Sequence, residues 1–138
     1  AVIFDGKMKR AYFASMTGDR AWLLQEASVD GVIPYLPGGY RVIGLNSFSG
    51  MASWVLPLPG VIIATPRVSP GKVLYVSTRR YDGMEHLSAI SLRQGKQLYA
   101  LPLPISIVDF ELVTDLFVIA RTISGARYRI SSSGWEQM

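Results

Sequence analysis

A hairpin with a fixed internal plan occurs twice in this chain, and such repetition restricts the fold to architectures built from look-alike units. In Leu87–Pro104, LSAISLRQGKQLYALPLP, Ser88, Ile90 and Leu92 alternate with Ala89, Ser91 and Arg93. A turn follows at Arg93-Gln94-Gly95-Lys96, and Leu98-Tyr99-Ala100-Leu101 runs into Pro102. Arg41–Pro59, RVIGLNSFSGMASWVLPLP, has the same plan 45 residues earlier: Gly50 stands for Gly95, Trp54 for Tyr99, and Pro57-Leu58-Pro59 for Pro102-Leu103-Pro104. Self-similarity at a period of roughly 20–50 residues marks a repeat architecture.

Two fainter copies complete the series. Ala11–Leu24 has Gly18 followed four residues later by Trp22, and Tyr128–Met138 has Gly134 followed four residues later by Met138. The common plan is strand, glycine turn, then a large side chain at a fixed place on the outgoing strand. Glycine suits a turn position with φ > 0, and strand alternation then fixes the face of the anchor residue.

Read in order, the chain predicts strands almost throughout. Expected strands are Val2–Phe4, Arg10–Met16, Arg20–Glu26, Val32–Leu36, Tyr40–Asn46, Ala52–Leu56, Val61–Val68, Lys72–Thr78, His86–Leu92, Lys96–Leu101, Ile105–Leu112, Asp115–Arg121, Arg127–Ser131 and Trp135–Met138. Turns are expected at Asp5-Gly6, Thr17-Gly18-Asp19, Pro37-Gly38-Gly39 and Ser69-Pro70-Gly71, with a longer loop over Arg79–Glu85. Pro66 predicts a bulge or an edge in its strand, because proline has no N–H for a ladder. A helical turn is credible only at Leu23–Ala27. Grouped by repeat, these give one all-β domain of four units, approximately 1–26, 27–60, 61–104 and 105–138. The second has Ala27–Asp30 as a stunted first strand, and the first begins midway. Four-stranded antiparallel units of about 40 residues are the signature of β-propeller blades. The expectation is a small or partial propeller of roughly three and a half to four blades.

Gly71–Pro104, GKVLYVSTRRYDGMEHLSAISLRQGKQLYALPLP, resembles a blade of the PQQ-type β-propeller repeat. Gly71, Leu74, Tyr75, Val76, Asp82, Gly83, Ala89, Ile90, Gly95, Lys96 and Tyr99 fit the family pattern. Arg41–Pro59 resembles the second half of the same blade, with Trp54 where the family prefers tryptophan. The resemblance implies a propeller-type fold and is shared by quinone enzymes and cofactor-free scaffolds. Enclosing the quinone takes about eight blades, more than this chain supplies, so no cofactor is expected. Blades need neighbours to cover their faces. Three outcomes follow: a compact four-bladed ring, an open partial propeller that dimerises, or a fragment completed by another chain.

Composition bears on the same question. A mean hydropathy of +0.26 with 17% charged residues is apolar for a free monomer and predicts surface covered by a partner or a second copy. The absence of cysteine excludes disulfides and thiolate sites. Trp54–Ala64, the longest apolar stretch, is broken by Pro57 and Pro59, so no transmembrane segment is expected there. The first ten residues, AVIFDGKMKR, lack the basic-then-apolar order of a signal peptide.

The sequence offers little for catalysis. Its one histidine, His86, lies beside Glu85 and near Asp82, and the expectation is a solvated loop flank rather than a metal or acid–base site. Gly44–Gly50 has serines at the wrong spacing for a nucleophile elbow. Ser131-Ser132-Ser133-Gly134 lacks the lysine of a phosphate loop. Asp109 and Glu111 read as an exposed strand face. Catalytic residues, metal ligands and cofactors are therefore all predicted to be none.

Basic residues are more informative. In a propeller, the turns between second and third strands emerge on one side of the disc. Here those turns carry Lys7, Lys9, Arg10, Arg41, Arg79, Arg80, Arg121 and Arg127, eight of the fourteen Lys and Arg, with Asp5, Asp82 and Glu85 as the acids. The other side has Arg20, Lys72, Arg93 and Lys96 against Asp19 and Asp115. An electropositive side follows, with Tyr81 and Tyr40 beside its arginines. The predicted partner-binding set is Lys7, Lys9, Arg10, Arg41, Arg79, Arg80, Tyr81, Arg121 and Arg127. The expected function is a non-catalytic propeller-like module that docks a protein partner or self-associates. The alternative is a nucleic-acid-binding β-domain, or one binding another anionic ligand, that uses the same basic loops. Glycan recognition by Trp22, Trp54 and Trp135 is weaker, because the first two hold core positions of the repeat.

Overall fold

A computed structural model of the chain describes residues 10–14, 20–38 and 40–138, with residues 10–14 and Arg20 described by backbone alone. The expected strand Val2–Phe4, the turn Thr17-Gly18-Asp19, Lys7 and Lys9 lie outside these residues, as does the side chain of Arg10. Among the described residues, fourteen strands form three antiparallel sheets in chain order, with one short 3-10 helix between the second and third strands. The first contains β1 (Arg10–Ala14), β2 (Arg20–Leu24), β3 (Val32–Leu36), β4 (Arg41–Asn46) and β5 (Ala52–Pro57), paired in that order. The second contains β6 (Val61–Ile62) and β7 (Arg67–Val68), both paired to β8 (Val73–Arg79), then β9 (Glu85–Ser91) and β10 (Lys96–Leu103). The third contains β11 (Ile107–Val113), β12 (Phe117–Thr122), β13 (Arg127–Ser131) and β14 (Gly134–Gln137). The all-β expectation holds, as does the helical turn, at Gln25–Ala27.

Two expectations need correction. Strands of the units 1–26 and 27–60 are not separate sheets, since β2 pairs with β3 through Trp22↔Leu36 and Leu23↔Tyr35. The 3-10 turn and the Val29↔Val32 bridge occupy the place of the stunted strand expected at Ala27–Asp30, so β2 is the strand that pairs with β3. Trp22 is therefore not equivalent to Trp54 and Tyr99. Those two sit on the last strands of their sheets, β5 and β10, each beside a register shift, opposite Gly44 and Ala89. Second, Val61–Val68 is two short strands. Ile62 pairs with Thr78 and Arg67 with Tyr75, so residues 63–66 oppose only Val76 and Ser77. Pro66 lies in that bulge, as its missing N–H requires.

Packing follows from alternation along β8 and β9. Val73–Thr78 is buried at every position, the mark of a sheet covered on both faces. Leu74, Val76, Ile90 and Leu92 point to the first sheet and share a core with Trp22, Leu24, Leu36 and Val42. Val73, Tyr75, Leu87 and Ala89 point the other way and meet Ile107, Phe110, Val118 and Ile130 of the third sheet. Each such Leu or Ile contributes about 2 kcal/mol of transfer free energy against the entropy of ordering it.

Polar pins fix the order of the stack. Asp115, in the β11–β12 turn, accepts from Ser69 Oγ at 2.6 Å and Gly71 N at 2.7 Å. Tyr75 donates its hydroxyl to Thr114 O at 2.6 Å, and Lys72 Nζ reaches Glu26 O at 3.3 Å. Among the described residues no ladder joins the third sheet back to the first, and no helix is long and apolar enough to cross a membrane.

Candidate functional site

The turns β3–β4, β8–β9 and β12–β13 gather at one end of the stack, as the repeat predicts. The links are continuous. Leu58 N bonds Tyr40 O at 2.7 Å, Val61 pairs with Arg79, and Arg79 Nη2 reaches Ser106 Oγ at 3.2 Å. Ile107, next in the chain, pairs with Thr122 at the edge of the third turn. Arg41, Arg79, Arg80, Tyr81, Arg121 and Arg127 therefore all lie at or near this loop end.

The arginines there are largely paired. Arg79 binds Glu85 Oε2 through Nη2 at 3.2 Å and Nε at 3.3 Å, and Arg80 meets Asp82 at 3.0 Å. Arg121 holds Asp109 in a fork of 2.9 and 2.7 Å, and Arg127 holds Glu111 at 2.7 and 3.1 Å. Cross-strand register makes these pairs, since Asp109 lies directly opposite Arg121 and Arg121 opposite Arg127. The Arg121 hydrogen bond holds the Asp109 carboxyl below the usual carboxylate range. Only Arg41 of the six lacks both a carboxylate and an apolar role among the described residues. Asp109 and Glu111 stand on the adjoining strand, outside the turns whose charges make the loop end look electropositive in sequence.

Apolar side chains stand out of this paired surface. Tyr81 is 93% exposed and Ile123 91%, with Tyr40 and Met84 also open. The turn that presents Tyr81 is stiff: Arg80 N bonds Met84 O at 2.8 Å, Gly83 N bonds Arg80 O at 2.9 Å, and Asp82 Oδ1 accepts from Met84 N at 3.1 Å. The opposite end exposes Phe48 and Leu116.

Beneath the β8–β9 turn, the middle sheet changes character. Its lower half is aliphatic and aromatic, but Ser77, Thr78, Glu85 and Ser88 are buried in its upper half. His86 lies in β9, as the strand expected from it requires, but Glu85 is buried in that strand rather than in a solvated loop flank, which corrects the sequence expectation; the cross-strand pair with Arg79 lets the carboxylate be buried. Alternation sends Thr78, His86 and Ser88 toward the first sheet and Ser77 and Glu85 toward the third. Ser77 Oγ, Thr78 Oγ1, Ser88 Oγ, His86 Nδ1 and Glu85 Oε1 are buried without a hydrogen-bond partner. Ser88 and His86 thus do not bond each other and form no Ser–His dyad. Tyr99 Oη is similarly unpaired, and burial pushes its pKa up to about 12. Sequence reasoning missed this cluster because a serine or threonine in a strand looks solvent-facing until both faces are known to be covered.

A cavity of about 440 Å³ opens at the same end, between the β8–β9 turn and the β10–β11 connection. Asp82, Met84, Glu85, Leu103, Ile105 and Ser106 are among its walls. It is the place where exposed loop, apolar surface and buried polar atoms meet.

No protein-family model and no curated protein matches this chain. Its structure is similar to that of BamB from Moraxella catarrhalis, with a TM-score of 0.61 and 16% sequence identity over 92% of this chain and 37% of that one. The chain thus spans little more than a third of the length of that neighbour. Three face-stacked antiparallel sheets and this likeness together make the fold β-propeller-like, in an open form.

Proposed function

We propose that this chain is a cofactor-free, non-catalytic propeller module of the PQQ-repeat type that docks a protein partner through its loop end. The supporting observation is Tyr81 and Ile123, almost fully exposed within a surface whose arginines are held in ion pairs. Large apolar anchors inside a polar rim are the arrangement of protein interfaces. Arg41, Arg79, Arg80, Arg121 and Arg127 form that rim around Tyr81. The nucleic-acid reading gains nothing from a surface on which four of these five arginines already have carboxylates. The open stack, with sheets that need neighbours to cover their outer faces, also accords with assembly into something larger.

Site-specific photocrosslinking tests the proposal. A photoreactive phenylalanine replaces Tyr81, Ile123 or, at the opposite end, Phe48, and the chain is irradiated in its native cells. One discrete adduct common to positions 81 and 123 and absent from 48 is expected. Adducts from 48 alone, or none from 81 and 123, would overturn it.

A further inference from the structure

Among the strands whose side chains are described, only β14 has an edge left open to a further strand. An edge presents a row of unpaired N–H and C=O groups, and proteins block such rows with prolines, bulges or very short strands. β5 ends on Pro57 and β10 contains Pro102, and each has a register shift. Leu58 N bonds Tyr40 O, so Pro57 takes the alternate position that faces away from β4, where an N–H would stand free. β11 has two register shifts, and β6 and β7 are two residues long. β14 has neither proline nor shift, and Met138 N, bonded to Arg127 O at 2.9 Å, carries its pairing one residue further.

Antiparallel alternation fixes which groups are free. Gly134, Glu136 and Met138 direct theirs to β13, so Trp135 and Gln137 turn their N–H and C=O groups to the open side. Rows of side chains across the sheet specify what a neighbour must bring. One row runs Val118, Ile130, Trp135 and is apolar. The next runs Ile119, Arg129, Glu136 and ends on a carboxylate that is 72% exposed and no closer than 4.0 Å to Arg129. A space of about 320 Å³, with Arg129, Ser131, Gly134 and Glu136 among its walls, gives room beside that carboxylate.

We propose that β14 accepts an extended segment of a partner protein as a fifth strand, antiparallel like every other pair in this sheet. The segment carries Lys or Arg opposite Glu136 and an apolar side chain opposite Trp135, continuing both rows. A second copy of this chain fits less well. The antiparallel register that uses both free residues sets Trp135 against Gln137 of the copy, and so puts Glu136 directly opposite Glu136, a like-charge pair. This edge uses neither Tyr81 nor Ile123, so the inference is independent of docking at the loop end.

The test uses the full chain labelled with nitrogen-15 and the peptide acetyl-Ser-Thr-Lys-Val-Ser-amide, whose Thr, Lys and Val would lie opposite Gln137, Glu136 and Trp135. Saturable movement of the Trp135 and Gln137 amides is expected at millimolar peptide. Hydrogen exchange at those two amides should slow about tenfold when the peptide stands at about ten times its dissociation constant. N-methylation of the peptide's Val, whose N–H points at β14, should abolish binding, whereas N-methylation of its Lys, whose N–H points away, should leave binding within about twofold. Glu in place of the peptide's Lys should weaken binding about fivefold, the effect of turning an opposite-charge pair into a like-charge pair. Gln137→Pro gives β14 the block that Pro57 and Pro102 supply elsewhere and should remove binding; the peptide comparisons on the unmodified chain stand even if that variant does not fold. Equal weakening by the two N-methyl peptides, or no movement at Trp135 and Gln137 up to the solubility limit, would overturn the proposal. Movement of these amides as the chain alone is concentrated would also overturn it, because the occupant would then be a second copy.

Discussion

The indole of Trp54 lies directly on Gly95: a Cβ built on that glycine would fall 2.6 Å from Trp54 Cδ1. The anchor of one repeat thus uses the turn glycine of the next repeat as its floor. The same ring covers Gly44, its partner across the β4–β5 ladder, where a Cβ would clash with Trp54 Cε2. Two glycines that look like turn or strand punctuation form the two sides of a slot for one side chain, and the slot joins the first sheet to the second.

Gly44→Ala therefore forces Trp54 to move and should cost about 2–3 kcal/mol, within the range for overpacking a filled site. Gly95→Ala adds the strain of φ +62° to its clash and should cost at least as much. Gly83→Ala is the control, because its φ is +89° but nothing lies within 4 Å of the added methyl. It should lose only about 1 kcal/mol. Urea unfolding of the three variants gives the order, and Gly83→Ala as the most damaging would refute the slot.

The Asp115 pin should make the stack sensitive to acid. The Ser69 hydroxyl first, and then the Gly71 N–H, hold its carboxyl below the ordinary carboxylate range. A depressed folded pKa contributes stability that is present above the unfolded value, near 3.9, and is lost as pH falls through the folded value. Asp109, lowered chiefly by its bond to Arg121, acts in the same direction. The denaturation midpoint should be flat from pH 7 to about 5 and fall below about 4. Asp115→Asn should lower the midpoint at pH 7 and make its decline below pH 4 shallower. An unchanged decline would show that the pin does not contribute.

Because the middle sheet is covered on both sides, its interior substitutions should destabilise the whole stack. Leu74 and Val76 are wholly buried against the first sheet, and Leu87 against the third. Leu74→Ala and Leu87→Ala should each cost about 3 kcal/mol, with tryptophan fluorescence and far-ultraviolet circular dichroism falling together. Leu112, a little under half exposed on the outward side of β11, should lose only about 1 kcal/mol from the same change. Separate transitions for the two probes would mean that the sheets unfold independently.

How much of this was legible depended on whether the deciding contact was local. Val32–Leu36 and Arg127–Ser131 are strands at the limits expected from their residues, and Pro66 interrupts its strand, because turn chemistry and a missing N–H act within a few positions. The partner of β2 was not legible. Trp22 resembles Trp54 in its spacing from glycine, but its burial beside Leu36 and Val42 comes from strands with no local claim on it. The basic loop end failed for a similar reason. Arg121 and Arg127 count as free cations in sequence, and only the register of β11 reveals Asp109 and Glu111 beside them. Glu85 looks solvated in sequence because the cover supplied by the third sheet is non-local.

The Arg79–Glu85 pair gives the sharpest asymmetry to measure. Arg79 keeps its side chain 48% exposed while that of Glu85 is 9% exposed, so the two partners stand to lose different things. Removing the carboxylate in Glu85→Ala leaves a guanidinium that can turn to water and still reach Ser106. Its loss should be about 1 kcal/mol, the scale of a single net hydrogen bond. Removing the guanidinium in Arg79→Ala strands a charge that already lacks a donor on Oε1, and now lacks one on Oε2 as well. An uncompensated buried charge costs about 3 kcal/mol or more, even where the intact pair contributes little. The double variant removes the stranded charge along with the guanidinium, so it should be more stable than Arg79→Ala alone. Equal losses for the two single variants, measured by urea unfolding at pH 7, would mean that Glu85 reaches water freely.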